Sequence, residues 1–179
     1  RKGENWKIVG PNGTGKSSLL RLITGDHLQA YSNEIYIFGK KRGSGESIWD
    51  LKKNIGLVSP ELQLIYNEQI SVLKVVLSGF FDTIGLYIPP KENKITYAKK
   101  WLNFLNIKDL SDRNFNNISY GQQRLVLIAR SMVKSPPLLI FDEPCQGLDI
   151  INKEMVLDTI DKIVKNSKTQ ILYVTHNDS

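Results

Sequence analysis

The sequence predicts an α/β fold built on a mostly parallel sheet, with a helical stretch inserted between two parts of that sheet. Three observations lead there. The first is an apolar run at Ile8-Val9, a glycine-rich turn, and then Leu19, Leu20, Leu22 and Ile23 at helical spacing, which reads as strand, tight loop and helix start. The second is Leu138-Leu139-Ile140-Phe141, a short apolar run of the kind parallel strands show when both faces are covered, ending in Asp142-Glu143. The third is a change of period from about Ser71, where Val72, Val75, Val76 and Gly79 fall at i, i+3, i+4 and i+7, followed by Ala98, Trp101, Leu102 and Leu105 in the same pattern.

The remaining elements follow in order. Gly25-Asp26-His27 stops the first helix, leaving His27 a surface residue with no role. Glu34 to Phe38 reads as one strand ended by Gly39 and a basic-polar loop to Ser47. Asn54 to Val58 reads as a buried strand broken by Ser59-Pro60. Pro89-Pro90 separates the two helical patterns of the insertion. Ile118-Ser119-Tyr120-Gly121-Gln122-Gln123-Arg124 opens a helix with Leu125, Ile128, Ala129 and Met132 on one apolar face, stopped by Pro136-Pro137. A helix through Val156, Ile160, Ile163 and Val164 and a last strand from Gln170 to Thr175 follow, with His176 at the strand tip.

A chain of 179 residues is one domain by length and buries a core without staples. Apolar content of 41% and charged content of 23% are ordinary for a globular protein, and no apolar run approaches the ~20 residues that span a bilayer. Direct membrane insertion is therefore not expected. The single cysteine, Cys145, excludes an intrachain disulfide, fits a reducing compartment and reads as a small packing residue. The net charge of +6 is spread over short groups such as Lys40-Lys41-Arg42, Lys52-Lys53 and Lys99-Lys100 without aromatic interleaving. Solvated faces explain it better than nucleic acid.

The turn Gly10-Pro11-Asn12-Gly13-Thr14-Gly15-Lys16-Ser17-Ser18 carries the strongest chemical signal, because it reads G-x-x-x-x-G-K-S, the P-loop pattern. Gly13 and Gly15 let successive backbone N–H groups point inward at phosphate oxygens, and the following helix adds its positive end. Lys16 supplies a mobile charge for the β- and γ-phosphates, and the Ser17 hydroxyl is placed for Mg²⁺. The alternative is a chance glycine-rich turn. Against it stands the Asp142-Glu143 pair, at the strand edge where open α/β sheets put their ligands.

Together these residues resemble an ATP-binding-cassette (ABC) ATPase domain. Gly10 to Ser17 resembles Walker A, Leu138 to Asp142 Walker B, and Glu143 the catalytic glutamate. Ser119-Tyr120-Gly121-Gln122 resembles the signature motif, Gly147-Leu148-Asp149 the D-loop, and His176 the switch histidine. The resemblance implies a P-loop NTPase core over 1–69 and 118–179, an antiparallel β edge, and a helical subdomain over 70–117. It implies ATP and Mg²⁺ as ligands, with Ser17 and Asp142 on the metal and Gly10, Asn12 to Ser18 around the phosphates. Glu143 would aim the attacking water, with Lys16 and His176 on the γ-phosphate. Ser119 to Gln122 and Asp149 would act across an interface with a second, head-to-tail cassette.

Three stretches narrow the resemblance to a soluble tandem-cassette subfamily named for molybdenum transport or photorepair: Tyr36 to Gly39 with Gly43 to Asp50, the S-Y-G-Q-Q-R signature, and Glu143 to Asp149. This chain resembles part of the second cassette, with the adenine-stacking aromatic upstream of Arg1 and further strands beyond Ser179. Trp6 then packs beside the first strand. Two departures stand out. Tyr120 replaces the first signature glycine, and Pro60 occupies the register of the Q-loop glutamine, leaving Glu61 or Gln63 as substitutes. A cytoplasmic location follows, peripheral on the inner face of the plasma membrane where a permease is engaged. Three uses of the nucleotide fit: powering an importer of molybdate or another anion, an ATP-dependent regulatory or nucleic-acid-associated switch with little hydrolysis, or a non-hydrolysing scaffold.

Overall fold

The computed structural model describes residues 3–25, 34–42, 45, 47–66 and 69–176. His27 and parts of the loop between Arg42 and Ser47 lie outside them. The elements run β1 (Trp6–Val9), α1 (Lys16–Thr24), β2 (Tyr36–Ile37), β3 (Lys40–Lys41), α2 (Ile48–Asn54), β4 (Ile55–Val58) and α3 (Pro60–Ile65). There follow α4 (Val72–Ser78), α5 (Glu92–Phe104), α6 (Tyr120–Met132), β5 (Leu138–Asp142), α7 (Ile150–Asn166) and β6 (Gln170–Thr175). Among the described residues no helix is long and apolar enough to cross a membrane.

Four strands form one parallel sheet in the order β1-β6-β5-β4. Alternation along β5 sends Leu139 and Phe141 to one side and Ile140 to the other, and each side has its own apolar cluster. Leu20 of α1 and Leu51 of α2 meet Ile140 and Val174 on one face. On the other face Leu125, Leu127 and Ile128 of α6 and Val156, Ile160 and Ile163 of α7 cover Leu139 and Phe141. The same cluster continues without a break into Val72, Val75 and Val76 of α4 and Ala98 and Leu102 of α5.

Two elements differ from the sequence reading. The strand expected over Glu34 to Phe38 is instead a small antiparallel hairpin, Tyr36 against Lys41 and Ile37 against Lys40. Phe38 and Gly39 form its two-residue turn, both with positive φ (51° and 77°), which is the backbone that a tight hairpin loop needs. Trp6 does not pack beside β1; it opens that strand and is 52% exposed. Helix α6 is buried from Gln123 to Met132 on all sides, where a single apolar face was expected. It lies between the sheet, α7 and the inserted helices, so no face is left for water. Arg42, read with its lysine neighbours as solvated, is buried.

Candidate functional site

The sheet register assembles the site. Val9 pairs with Thr175, Asp142 with Val174, and Val58 with Phe141, so the carboxyl ends of all four strands finish in one row. Past that row lie the Gly10–Ser18 loop, His176, Glu143 and the start of α3. Two backbone bonds extend the ladder into the loops: Gly10 N–H donates to the Thr175 carbonyl at 3.3 Å, and Glu143 N–H to that of Val174 at 2.9 Å. A cleft of about 350 Å³ opens there, lined by Asn12, Gly13, Gly15, Lys16, Ser17, Ser18, Asp142, Glu143, Pro60, Glu61 and Gln146.

Helix α1 begins at Gly15, in the left-handed region at φ 90°, with no side chain capping it. Its first N–H groups therefore face the cleft bare. Lys16 Nζ folds back over the loop and donates to the carbonyls of Gly10 at 2.5 Å and Pro11 at 3.0 Å. Thr14 Oγ1 donates to Pro11 O at 2.9 Å. The loop is thus held around its own cation.

Across the cleft, Glu143 has φ 48°, a conformation uncommon for a residue with a side chain and worth on the order of 1–3 kcal/mol of strain. The strain is held by its neighbours. Gln146 N–H donates to the Glu143 carbonyl at 3.0 Å, while His176 Nδ1 and Thr175 Oγ1 donate to its Oε2 at 2.8 and 3.3 Å. This fixes the carboxylate over the cleft. Asp142 is half-buried; burial pushes its pKa above the ordinary aspartate value, Glu61 and Glu143 push the same way, and Lys16 opposes them.

The structure brings Asn12, Gly13, Gly15, Lys16, Ser17, Ser18, Asp142 and Glu143 together, with His176 on Glu143. Ser119, Tyr120, Gly121, Gln122 and Asp149 are not among the residues lining that cleft. Ser119 caps α6 and Asp149 caps α7. Ser119 Oγ accepts from Gln122 N–H at 3.2 Å and Gln122 Oε1 accepts from Ser119 N–H at 3.0 Å, a reciprocal capping box. Asp149 holds Asn152 through its backbone N–H at 2.8 Å and its side-chain amide at 2.7 Å. The two helix starts touch where a methyl at Gly121 would overlap the Asn152 side chain. Tyr120 is 51% exposed beside them.

Of the two Q-loop substitutes, only Glu61 reaches the cleft. Gln63 is buried and donates from Nε2 to Gln123 Oε1 of α6 at 2.6 Å. Sequence reasoning missed α3 itself, although Ser59-Pro60-Glu61 spells a helix start: Ser59 Oγ accepts from Leu62 N–H at 3.3 Å and proline occupies the first turn. Gln146 was also missed; only its place three residues after Glu143 could have signalled it.

Residues 1–146 match the sequence model of a family described as ABC transporter. The chain is 50% identical over 176 residues to the ABC transporter ATP-binding protein ModF of Escherichia coli, covering 98% of this chain and 36% of that protein. It is 30% identical to the molybdate import ATP-binding protein MolC of Haemophilus influenzae, over 98% of this chain and 62% of MolC. This chain thus spans about a third and about three fifths of these two relatives. Among solved structures it superposes on cbiO1 from Clostridium perfringens, part of the ABC transporter complex cbiONQ, with a TM-score of 0.83 at 28% identity, covering 99% of this chain and 68% of that one. It also matches the dimeric post-hydrolysis state of the cassette MJ0796 bound to ADP and Pi, with a TM-score of 0.76 at 27% identity, over 99% and 76% of the two chains.

Proposed function

The chain belongs to the ABC transporter family, and on that premise we propose that it is the ATP-binding and ATP-hydrolysing part of a cassette protein. The observation that carries this reading is the single cleft that collects Lys16, Ser17, Asp142 and Glu143, with His176 holding the Glu143 carboxylate. Lys16 exchanges the Gly10 and Pro11 carbonyls for β- and γ-phosphate oxygens. The backbone N–H groups along Gly10, Asn12, Gly13, Thr14, Gly15, Lys16, Ser17 and Ser18 wrap the same phosphates. Glu143 orients and polarises the attacking water, and His176 contacts the γ-phosphate while keeping that carboxylate aimed. Positioning and charge stabilisation supply most of the acceleration.

The donor set fits Mg²⁺. The Ser17 hydroxyl and the Asp142 carboxylate are hard oxygen ligands on one cleft, and burial together with the neighbouring Glu61 and Glu143 raises Asp142 in a way that a cation would relieve. Bound there, Mg²⁺ supplies charge neutralisation of the phosphate oxygens.

Ser119, Tyr120, Gly121 and Gln122 serve a second cassette's nucleotide in a head-to-tail pair, with Asp149 at the joint; the dimeric MJ0796 neighbour supports this. Residues 70–117 act as a helical subdomain on the 1–69 and 118–179 core and meet a permease subunit in the assembled transporter, at the cytoplasmic side of the membrane. The MolC likeness favours a molybdate-type oxyanion as cargo.

Glu143→Gln tests the reading. Turnover measured by phosphate release should fall roughly 10²–10⁴-fold while ATP binding persists, and size exclusion with ATP should show a trapped pair. Unchanged turnover would remove Glu143 from its role.

A further inference from the structure

Helix α6 buries two arginines and treats them differently. Arg130 donates to the Tyr66 hydroxyl at 2.7 Å, the Ser78 hydroxyl at 3.3 Å and the Thr83 carbonyl at 2.9 Å. Arg124 is 0% exposed, and its Nε and both Nη atoms have no hydrogen-bond partner among the described residues. A guanidinium has five donors and stays protonated, so enclosing it unpaired is among the costliest arrangements a fold can hold. The fold satisfies Arg130 only six residues away. The charge of Arg124 is therefore left over in this state of the molecule.

Its surroundings indicate what uses it. Arg124 follows Gln123, which ties α6 to α3 through Gln63 and to the segment before Ser119 through the Phe115 carbonyl at 2.9 Å. Gln63 Oε1, at that same α3–α6 contact, is likewise buried without a partner. Donors are unsatisfied on one helix and an acceptor on the other. Glu61 stands on the cleft side of α3, with no ion-pair or hydrogen-bond partner among the described residues, and shares the cleft with Asp142 and Glu143. Its carboxylate lies within electrostatic reach of Arg124.

We propose that Arg124 is a positioning residue, the buried half of a latch whose other half is Glu61. When a polyphosphate enters beside Asp142 and Glu143, like-charge repulsion drives the Glu61 carboxylate out of the cleft and onto the Arg124 guanidinium. Helix α3 then seats against the first turns of α6, Gln63 completes its hydrogen bonds, and Ser119 moves with that helix. Filling one cleft thereby prepares the signature end of the same chain. The latch rests on the nucleotide reading above.

The test uses Arg124→Met, Glu61→Gln, the double variant and Arg124→Lys in the full chain. Nucleotide-free melting, ATP affinity and turnover at saturating ATP are measured for each. The latch predicts that Arg124→Met melts no lower than wild type, because an uncompensated charge is removed. It predicts that turnover falls roughly tenfold with ATP affinity little changed, that Glu61→Gln shows the same fall, and that the double variant falls no further. Arg124→Lys should recover part of the loss. An Arg124→Met chain that melts lower, fails to fold or keeps full turnover overturns the latch, as do losses that multiply in the double variant. Wild-type protein that binds no ATP would instead bring down the nucleotide reading itself.

Discussion

Helices α1 and α6 both begin as ready-made anion sites, yet they begin differently. At α1 the capping position is Gly15, without a side chain, so the first amides are left open to a ligand. At α6 the Gln122 N–H is already taken, since Ser119 and Gln122 cap each other. The bare end sits in the cleft of its own chain beside Lys16, while the capped end lies at the surface against α7. The contrast implies a division of labour. On the proposed reading the α1 end is committed to the nucleotide of its own chain, whereas the α6 end is partly satisfied by its own cap until a ligand is brought to it.

The sharpest way to break this contrast is at the bare end. Lys16→Ala removes charged bonds to phosphate and should weaken ATP binding by roughly a hundredfold or more, read as loss of the ATP-dependent melting shift. Retained affinity would mean that the amides alone suffice. At the capped end, Ser119→Ala should leave ATP affinity intact and lower turnover by roughly ten- to a hundredfold if, as proposed, Ser119 acts on the second nucleotide. It should also cost about 1 kcal/mol of helix capping, about 2–4 °C in melting. Equal loss of affinity in both variants would erase the distinction.

Two smaller effects sharpen the comparison. Gly121→Ala drives a methyl into Asn152 and should cost about 1–3 kcal/mol, lowering the melting temperature without touching the cleft. Asp142 provides the pH arm. Its pKa is raised in the folded chain, so its stabilising contribution is full below the ordinary aspartate range and is lost as pH rises through the raised value. Nucleotide-free Asp142→Asn should therefore gain a few degrees over wild type near neutrality, and that gain should vanish in acid. A gain independent of pH would assign the effect to packing.

The α1 end was legible in the sequence because its chemistry is local: nine consecutive residues state loop, cation and helix start. Asp142-Glu143 was legible for the same reason, as were the main strands along the chain, though not their order in the sheet. The features that escaped depend on what lies across from them. Glu61 and Gln63 are two residues apart on one short helix, and only packing against α6 sends the first to the cleft and the second to Gln123. The Phe38-Gly39 turn was hidden because Phe38 and its apolar neighbours look like a strand until the returning lysines pair. Gly121 read as part of a phosphate motif, and its second constraint, the approach of Asn152, belongs to a helix thirty positions away. Arg124 read as one more basic residue of a helix, because burial on every side of α6 is set by three neighbouring layers.

The pairing of β1 has a consequence for the order in which the molecule comes into being. Its ladder partner is β6, with Trp6 opposite Leu172 and Val9 opposite Thr175. Ile171 N–H also reaches back to the Asn5 side chain at 2.8 Å. The Gly10–Ser18 turn hangs from a strand that stays unanchored during synthesis until β6, about 166 residues later, has left the ribosome. On the proposed reading, nucleotide capture is thereby deferred until β6 has emerged, and a nascent chain stalled before β6 should not retain ATP.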